Sequence, residues 1–212
     1  MSYLTPENAY VFRITHRDNV RWILENGLHC RTSTQSDPNF VQIGNADLIN
    51  SRATRVVPHA PGGTLGDYVP FYFTPFTPML LNIKTGYNGV QKRPMSEIVI
   101  LGSSLRKLES DGVCFVFSDR HASLAAARFS NDLQHLDRID WNILQARDFK
   151  RDANDLEKVE RYQAETLVHR TLPVSALMGM MCYDDATTAR MKQESAECGV
   201  DIPIQTSRGW FF

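Results

Sequence analysis

Two glutamates stand five residues apart in the stretch ERYQAETLVHR, Glu160 and Glu165. In a strand, alternate side chains face opposite ways, so Ala164, Thr166 and Val168 share one face and Glu165, Leu167 and His169 the other. That sets Glu165 inside an apolar strand. Glutamate is a poor strand former and is rarely buried unpaired, so its presence there needs a reason. Glu157 and Glu160 belong instead to the charged run KRDANDLEKVER, where a solvated helical face accounts for them. Polar residues also interrupt the apolar stretch FRITHRDN: alternation puts Arg13, Thr15 and Arg17 on one face and Ile14 and His16 on the other. Such residues either grip a ligand or line an exposed sheet face. Two arginines, Arg52 and Arg55, come from NADLINSRATRVV. If that piece is helical, Asp47 and Ser51 lie on one side with Arg52 adjacent; if not, these are solvated charges.

Other chemistries find no support. APGGTLGD has three glycines but lacks the lysine of a phosphate-binding P-loop and the strand and helix of a dinucleotide turn, so it reads as a tight turn needing positive φ. No G-x-S-x-G elbow is present. Cys30, Cys114, Cys182 and Cys198 are far apart, with no C-x-x-C pair, and the six histidines show no H-x-x-x-H spacing. Free thiols and no metal are expected.

These residues need elements to hold them. A strand over 10–15 is followed by a helix over about 17–26, with Val20, Ile23 and Leu24 at helical spacing and Gly27 as the stop. Residues 31–66 are polar and irregular apart from ADLINSRA, and so long a loop is a candidate site. In YVPFYFTPFTPMLLNI, Pro70, Pro75 and Pro78 exclude a long helix and predict an edge strand that breaks into a turn. EIVILGSS, VCFVFSD and AETLVH are strands; DLQHLDRIDWNILQARDF gives one helix and a turn; PVSALMGMMCY is a further apolar segment before the helix ATTARMKQESAECG; and IPIQTSRGWFF ends in an edge strand. Six or more strands with few helices indicate an α+β fold, and no repeat or Gly/Ser linker divides 1–212, so one domain is expected.

Of 212 residues, 42% are hydrophobic and 22% charged, as in an ordinary globular protein. With 23 basic and 24 acidic residues the net charge is -1, so any nucleic-acid site must be local. The longest apolar runs, such as 98–101 and 176–183, fall far short of the roughly 20 residues that span a bilayer. MSYLTPENAY has neither a basic n-region nor an apolar core, so no secretory signal is read and a cytoplasmic protein is expected.

Taken together, FRITHRDN, RAT with GGTLGDYVPFYFTPFTPML, FVFSDRHA and ERYQAETLV resemble the DarT family, the DNA ADP-ribosyltransferase toxins of DarT/DarG toxin-antitoxin systems. The likeness runs through essentially the whole chain, and GGTLGDYVPFYFTPFTPML is its most specific part. It implies an ADP-ribosyltransferase fold with a split, mainly antiparallel sheet and a central NAD cleft. The implied reaction moves ADP-ribose from NAD onto a base in single-stranded DNA, releasing nicotinamide and blocking replication. In the branch this chain looks closest to, the base is thymidine; in another it is guanosine. A DarG-type macrodomain antitoxin is the implied partner. Alternatives are a protein or tRNA ADP-ribosyltransferase on the same scaffold, or an inactive NAD- or DNA-binding module.

The resemblance also implies roles. The family's QAE-x-L-V stretch makes Glu165, not Glu160, the catalytic glutamate, and Arg52 the catalytic arginine, with Arg55 a lesser match. Arg13, Ile14 and Thr15 would hold the nicotinamide end of NAD, bordered by Trp22, with Arg52 also touching the donor. A flexible NAD-binding element would span about 35–53, and a turn-turn loop for substrate recognition about 119–165, with Arg120 and His121 gripping DNA. Arg128, Lys92, Arg93, Tyr87 and Phe76 would be further linings. Glu165 would hydrogen-bond a ribose hydroxyl and stabilise growing positive charge. Arg52 would either take the thymine ring proton, which needs a pKa depressed from its usual value above roughly 12, or stabilise the deprotonated base.

Overall fold

The computed structural model describes residues 3–212. Strands β1 (Tyr10–His16), β2 (Leu28–His29), β3 (Tyr68–Tyr72), β4 (Ile98–Ser104), β5 (Phe115–Ser118), β6 (Phe129–Ser130), β7 (Glu165–His169), β8 (Thr171–Leu172), β9 (Gly179–Cys182) and β10 (Ile204–Thr206) alternate with helices. The helices are α1 (Val20–Asn26), α2 (Ala46–Ala53), α3 (Pro78–Thr85), α4 (Leu105–Ser110), α5 (Trp141–Ala146), α6 (Lys158–Arg161) and α7 (Asp185–Glu197). β2 and β8 pair with each other, and the rest form one eight-stranded sheet in the order β10-β9-β4-β1-β3-β7-β5-β6. Its pairings are antiparallel except β9 with β10.

This sheet is split in the middle. β1 meets β4 over the whole run from Tyr10↔Ser104 to His16↔Ile98, but meets β3 only at Phe12↔Tyr72. β3 in turn pairs fully with β7, from Tyr68↔His169 to Tyr72↔Glu165. The α+β expectation, with a split and mainly antiparallel sheet, is therefore met.

β3 is not an edge strand, however. It lies between β1 and β7, and Pro70 is tolerated because its missing N–H falls on the side of the split. In an antiparallel strand a residue's N–H and C=O point the same way, and the Pro70 carbonyl faces β1, where it accepts from Arg13 Nη1 at 2.9 Å. The turn after β3 leads into α3, whose first residue is Pro78 and whose cap is Thr77, the Thr77 Oγ1 accepting from the Leu80 N–H.

Three other expectations shift. The strand runs to His16, and Arg17 opens a one-turn 3-10 helix before α1, so Arg17 leaves the face of Arg13 and Thr15. His16 is buried against Asp18 and Glu97 at 3.4 Å each. DLQHLDRIDWNIL folds as a 3-10 segment, Leu133–Arg138, and then α5, two short pieces divided at Ile139. The run KRDANDLEKVER gives only the four-residue α6, and its Lys158 is buried with Asp148 at 2.9 Å.

The main core lies against the sheet, with Phe71, Phe73, Ile98, Ile100, Leu101 and Phe117 buried; each such side chain contributes about 1.5–3 kcal/mol relative to exposure. A smaller cluster of Val57, Leu65, Tyr68, Val116, Ala122 and Leu167 sits beside β7. Among the described residues no helix is long and apolar enough to cross a membrane.

Candidate active site

β7 carries Glu165 into the centre of the split sheet, opposite Tyr72 on β3 and Ser118 on β5. Glu165 has no exposed surface. Its Oε2 accepts from Arg52 Nη2 at 2.6 Å, and its Oε1 accepts from the Ala122 backbone N–H at 3.0 Å. Burial pushes the carboxyl pKa up, but the charge of Arg52, the nearby His121 and the two hydrogen bonds outweigh it and leave the group below its ordinary value. A buried carboxylate is thus kept ionised.

Arg52 reaches that carboxylate because α2 is fixed at both ends. Asn45 caps its start, accepting from the Leu48 N–H at 3.0 Å. Its C-terminal turn is stitched to the GGTLGD turn: Leu65 N–H donates to the Arg55 carbonyl at 2.8 Å and Val57 N–H to the Gly63 carbonyl at 3.0 Å. The turn uses positive φ at Gly62 and Gly63, as expected. Gly66 matters for another reason, since a Cβ there would lie 2.9 Å from the Ala53 carbonyl oxygen. Asp67 locks the turn, accepting from Thr32 Oγ1 at 2.6 Å and the Thr64 N–H at 2.8 Å, and these bonds hold its pKa down at about 2. The most distinctive motif of the sequence is therefore a support for α2.

The sequence reading missed Tyr72. It stands in register with both Glu165 and Phe12, and its hydroxyl lies beside the Arg52 guanidinium. Burial, and then the neighbouring Glu165, push its pKa up to about 12, so the phenol is neutral. A hydroxyl between the buried Phe71 and Phe73 was the available signal. Arg13 lies close by: burial lowers its pKa to about 10, Tyr72 acts against this and Arg52 adds to it. Its Nε is buried without a hydrogen-bond partner, a costly state that an acceptor on a bound ligand would relieve.

The remaining candidates divide. Ile14 is buried in the core, paired with Ile100 across the strands. Thr15 accepts from Asn19 Nδ2 at 3.2 Å, and Asn19 in turn holds the loop by bonding both the N–H and the carbonyl of Val41, at 2.8 and 3.0 Å. Trp22 packs edge-on to His29. His121 heads the segment that supplies the Ala122 N–H, with Nδ1 3.9 Å from Glu165 Oε1. Nδ1 accepts from the Ser123 N–H, which fits a neutral ring with its proton on Nε2, and burial lowers the pKa below 6.5. Arg120 is drawn to three carboxylates, Asp119 at 3.4 Å, Glu157 at 3.2 Å and Glu160 at 3.8 Å. Glu160 thus helps position Arg120 rather than standing in solvent alone.

Arg55 is exposed and lines a pocket with Ser51, Thr54, Leu124 and Phe129, and no bond joins it to Glu165. Arg93 is held by Glu97 at 3.2 Å, while Lys92 and Tyr87 are exposed. Phe76 cannot line a strand groove: it is fully buried, with the Arg147 guanidinium 3.7 Å from its ring centre. Among the described residues no His, Cys, Asp and Glu cluster could hold a metal ion, and all four cysteines are free.

A split antiparallel sheet thus holds at its centre an ionised glutamate with an arginine on it, and an unsatisfied arginine lies on the first strand. Residues 12–212 match the family model DarT, described as ssDNA thymidine ADP-ribosyltransferase. A DNA ADP-ribosyl transferase of Escherichia coli O127:H6 (strain E2348/69 / EPEC) is 48% identical over 209 residues, covering 99% of this chain and 96% of that one. Among solved structures, Thermus sp. 2.9 DarT in complex with ADP-ribosylated ssDNA superposes with a TM-score of 0.89 at 31% identity, over 98% of both chains. The same protein in complex with NAD+ gives 0.82 at 33% identity, over 98% of this chain and 99% of that one. The chain belongs to the DarT family, and is an NAD-dependent DNA ADP-ribosyltransferase.

Proposed function

We propose that this protein modifies thymidine in single-stranded DNA and acts as the toxin of a cytoplasmic toxin-antitoxin pair, blocking replication until a DarG-type macrodomain partner reverses the mark. The observation that carries the reading is the buried, ionised Glu165 with Arg52 on it at 2.6 Å, between Tyr72 and the Ala122 N–H. Thymidine is favoured by the description of the matching family.

In this reading NAD supplies the ADP-ribosyl group, with nicotinamide leaving. Arg13 offers its free Nε, and Thr15, Ile14 and Trp22 shape the donor side, with residues 35–53 as the covering element. Glu165 accepts from a ribose hydroxyl and sets negative charge beside the sugar carbon where positive charge grows. Arg52 stays a cation: burial lowers its pKa, but the Glu165 charge, the neighbouring Tyr72 and the hydrogen bond that Arg52 donates to Glu165 raise it above its ordinary value. Its role is then not that of a free base: it orients the thymine ring and stabilises it as the ring nitrogen bonds the ribose carbon that nicotinamide leaves and the ring proton passes to water. Residues 119–165 present the acceptor, with His121 facing the site and Arg120 anchoring the loop through Glu157.

The test is incubation with labelled NAD and a panel of single-stranded oligonucleotides, each lacking one base. Label should enter every oligonucleotide except the one without thymine. Transfer to protein alone, or loss of label only from the guanine-free strand, overturns the reading.

A further inference from the structure

We infer that Ser118 is a positioning residue for the transfer step: its hydroxyl sets the backbone N–H of Ala122 against the Glu165 carboxylate. The inference rests on the reading that Glu165 is the catalytic glutamate.

β5 ends just short of the group it must hold. Its ladder with β7 runs from Phe115↔Val168 to Ser118↔Glu165, and on its other side β6 pairs only with Phe117 and Ser118. Beyond Ser118 the Asp119 N–H still reaches the Arg128 carbonyl at 3.2 Å, and then strand pairing fixes nothing. Two bonds take over. Ser118 Oγ donates to the Arg120 carbonyl at 2.7 Å, and the His121 N–H donates to the Glu160 carbonyl at 3.0 Å. The first ties the turn to the end of β5 and the second ties it to α6. The next N–H along the chain is that of Ala122, which donates to Glu165 Oε1 at 3.0 Å.

The direction of the Ser118 bond is the informative feature. Ser118 has no exposed surface and stands directly opposite Glu165, so the two side chains share a face of the sheet. A carboxylate is a stronger acceptor than a carbonyl, yet the single hydroxyl proton goes to the turn. The carboxylate is served indirectly instead. Oε2 takes Arg52 Nη2 and Oε1 takes the Ala122 N–H, so each oxygen has its own donor and the plane of the group is fixed. Should the Ala122 N–H drift, Oε1 loses its donor and the carboxylate can turn about its last bond. Its aim at a ribose hydroxyl is then lost, which weakens the transition state more than the binding of NAD.

A buried serine on a carbonyl can also be purely structural, and the molecule contains one. Ser103 on β4 is 1% exposed and donates to the Ala176 carbonyl at 2.6 Å, with β1 and β3 standing between β4 and β7. It offers the same chemistry away from the site.

The experiment compares Ser118→Ala, Ser118→Thr and Ser103→Ala by thermal denaturation, by steady-state transfer from NAD to a thymidine-containing oligonucleotide, and by hydrogen exchange at single amides. Both alanine variants should lose Tm, because each leaves a buried carbonyl without its donor. Only Ser118→Ala should lose kcat, about ten- to a hundredfold, with the KM for NAD within about twofold. Its Ala122 amide should exchange faster while those of Leu167 and Val168 in β7 stay protected. Ser118→Thr keeps the hydroxyl and should recover most of kcat. If Ser118→Ala does not fold, Ser118→Cys, of similar shape and weaker donor, should show the same pattern in smaller measure. Equal losses of kcat in Ser118→Ala and Ser103→Ala, or unchanged exchange at Ala122, overturn the inference. A fully active Glu165→Gln protein, measured alongside, sinks instead the reading beneath it.

Discussion

Replacing Glu165 by glutamine keeps the side chain's size and its acceptor for the Ala122 N–H but deletes one charge, leaving Arg52 facing a neutral amide. Breaking a buried ion pair by removing one partner costs about 3–5 kcal/mol. The Arg52 side chain keeps 14% exposure, so some solvent reaches it and the lower end, about 3 kcal/mol, is expected. For a chain of this length that is a fall in Tm of about 6–12 °C. The pH dependence has a definite sign. The Glu165 pKa is depressed in the fold, so the pair contributes fully above the ordinary 4.5 and is lost as pH falls through the lower folded value. The gap between wild type and Glu165→Gln should therefore be constant from about pH 5 to 8 and close only in more acid solution. Activity should fall about a hundred- to a thousandfold, the loss typical of removing one preorganised electrostatic group. Arg52→Gln/Glu165→Gln should recover most of the stability, because no buried charge is left alone, and none of the activity. Thermal denaturation of the three proteins and transfer of labelled ADP-ribose to an oligonucleotide test this together. A Glu165→Gln protein as stable as wild type, or active within tenfold, refutes the reasoning. Glu160→Ala is the control: Glu160 is only half-buried, Arg120 retains Asp119 and Glu157, and less than about 1 kcal/mol should be lost.

Further expectations follow from the neighbours of the pair. Tyr72→Phe removes the hydroxyl beside the Arg52 guanidinium, and steady-state kinetics should show kcat down about tenfold or more with the fold's circular dichroism intact. Gly66→Ala puts a methyl 2.9 Å from the Ala53 carbonyl, so the end of α2 must move; a shift of about 1 Å at Arg52 costs up to about a hundredfold in kcat, far more than it costs in affinity for NAD. His121 has a pKa lowered by burial, so its contribution to stability is complete above 6.5 and declines as pH falls below that value. Denaturant titrations of His121→Asn should lack that decline, and an identical pH profile in the variant would assign it elsewhere.

Much of this protein was legible along the chain because its signals are local. Alternation in AETLVH isolated Glu165, and the helix stop at Gly27 and the positive-φ turn of APGGTLGD follow from residue chemistry over a few positions. ADLINSRA read as a short periodic piece, and it is α2. Strand pairing is not local. Pro70 argued for an edge strand, yet β3 is central, because the split beside β1 leaves no partner for the N–H that proline lacks.

The site divides in the same way. Composition and motif put forward Glu165 and two arginines three residues apart; only the packing of α2 against the Gly66 turn turned Arg52 inward onto Glu165 and left Arg55 on the surface. Tyr72 was missed because YVPFYF shows a hydroxyl between two apolar rings but not whether that hydroxyl meets a guanidinium or water. The sequence by itself determined the longer strands and which glutamate is out of place. The tertiary structure decided which charges meet, because a pair 113 residues apart is brought together by the sheet and by no property of either segment alone.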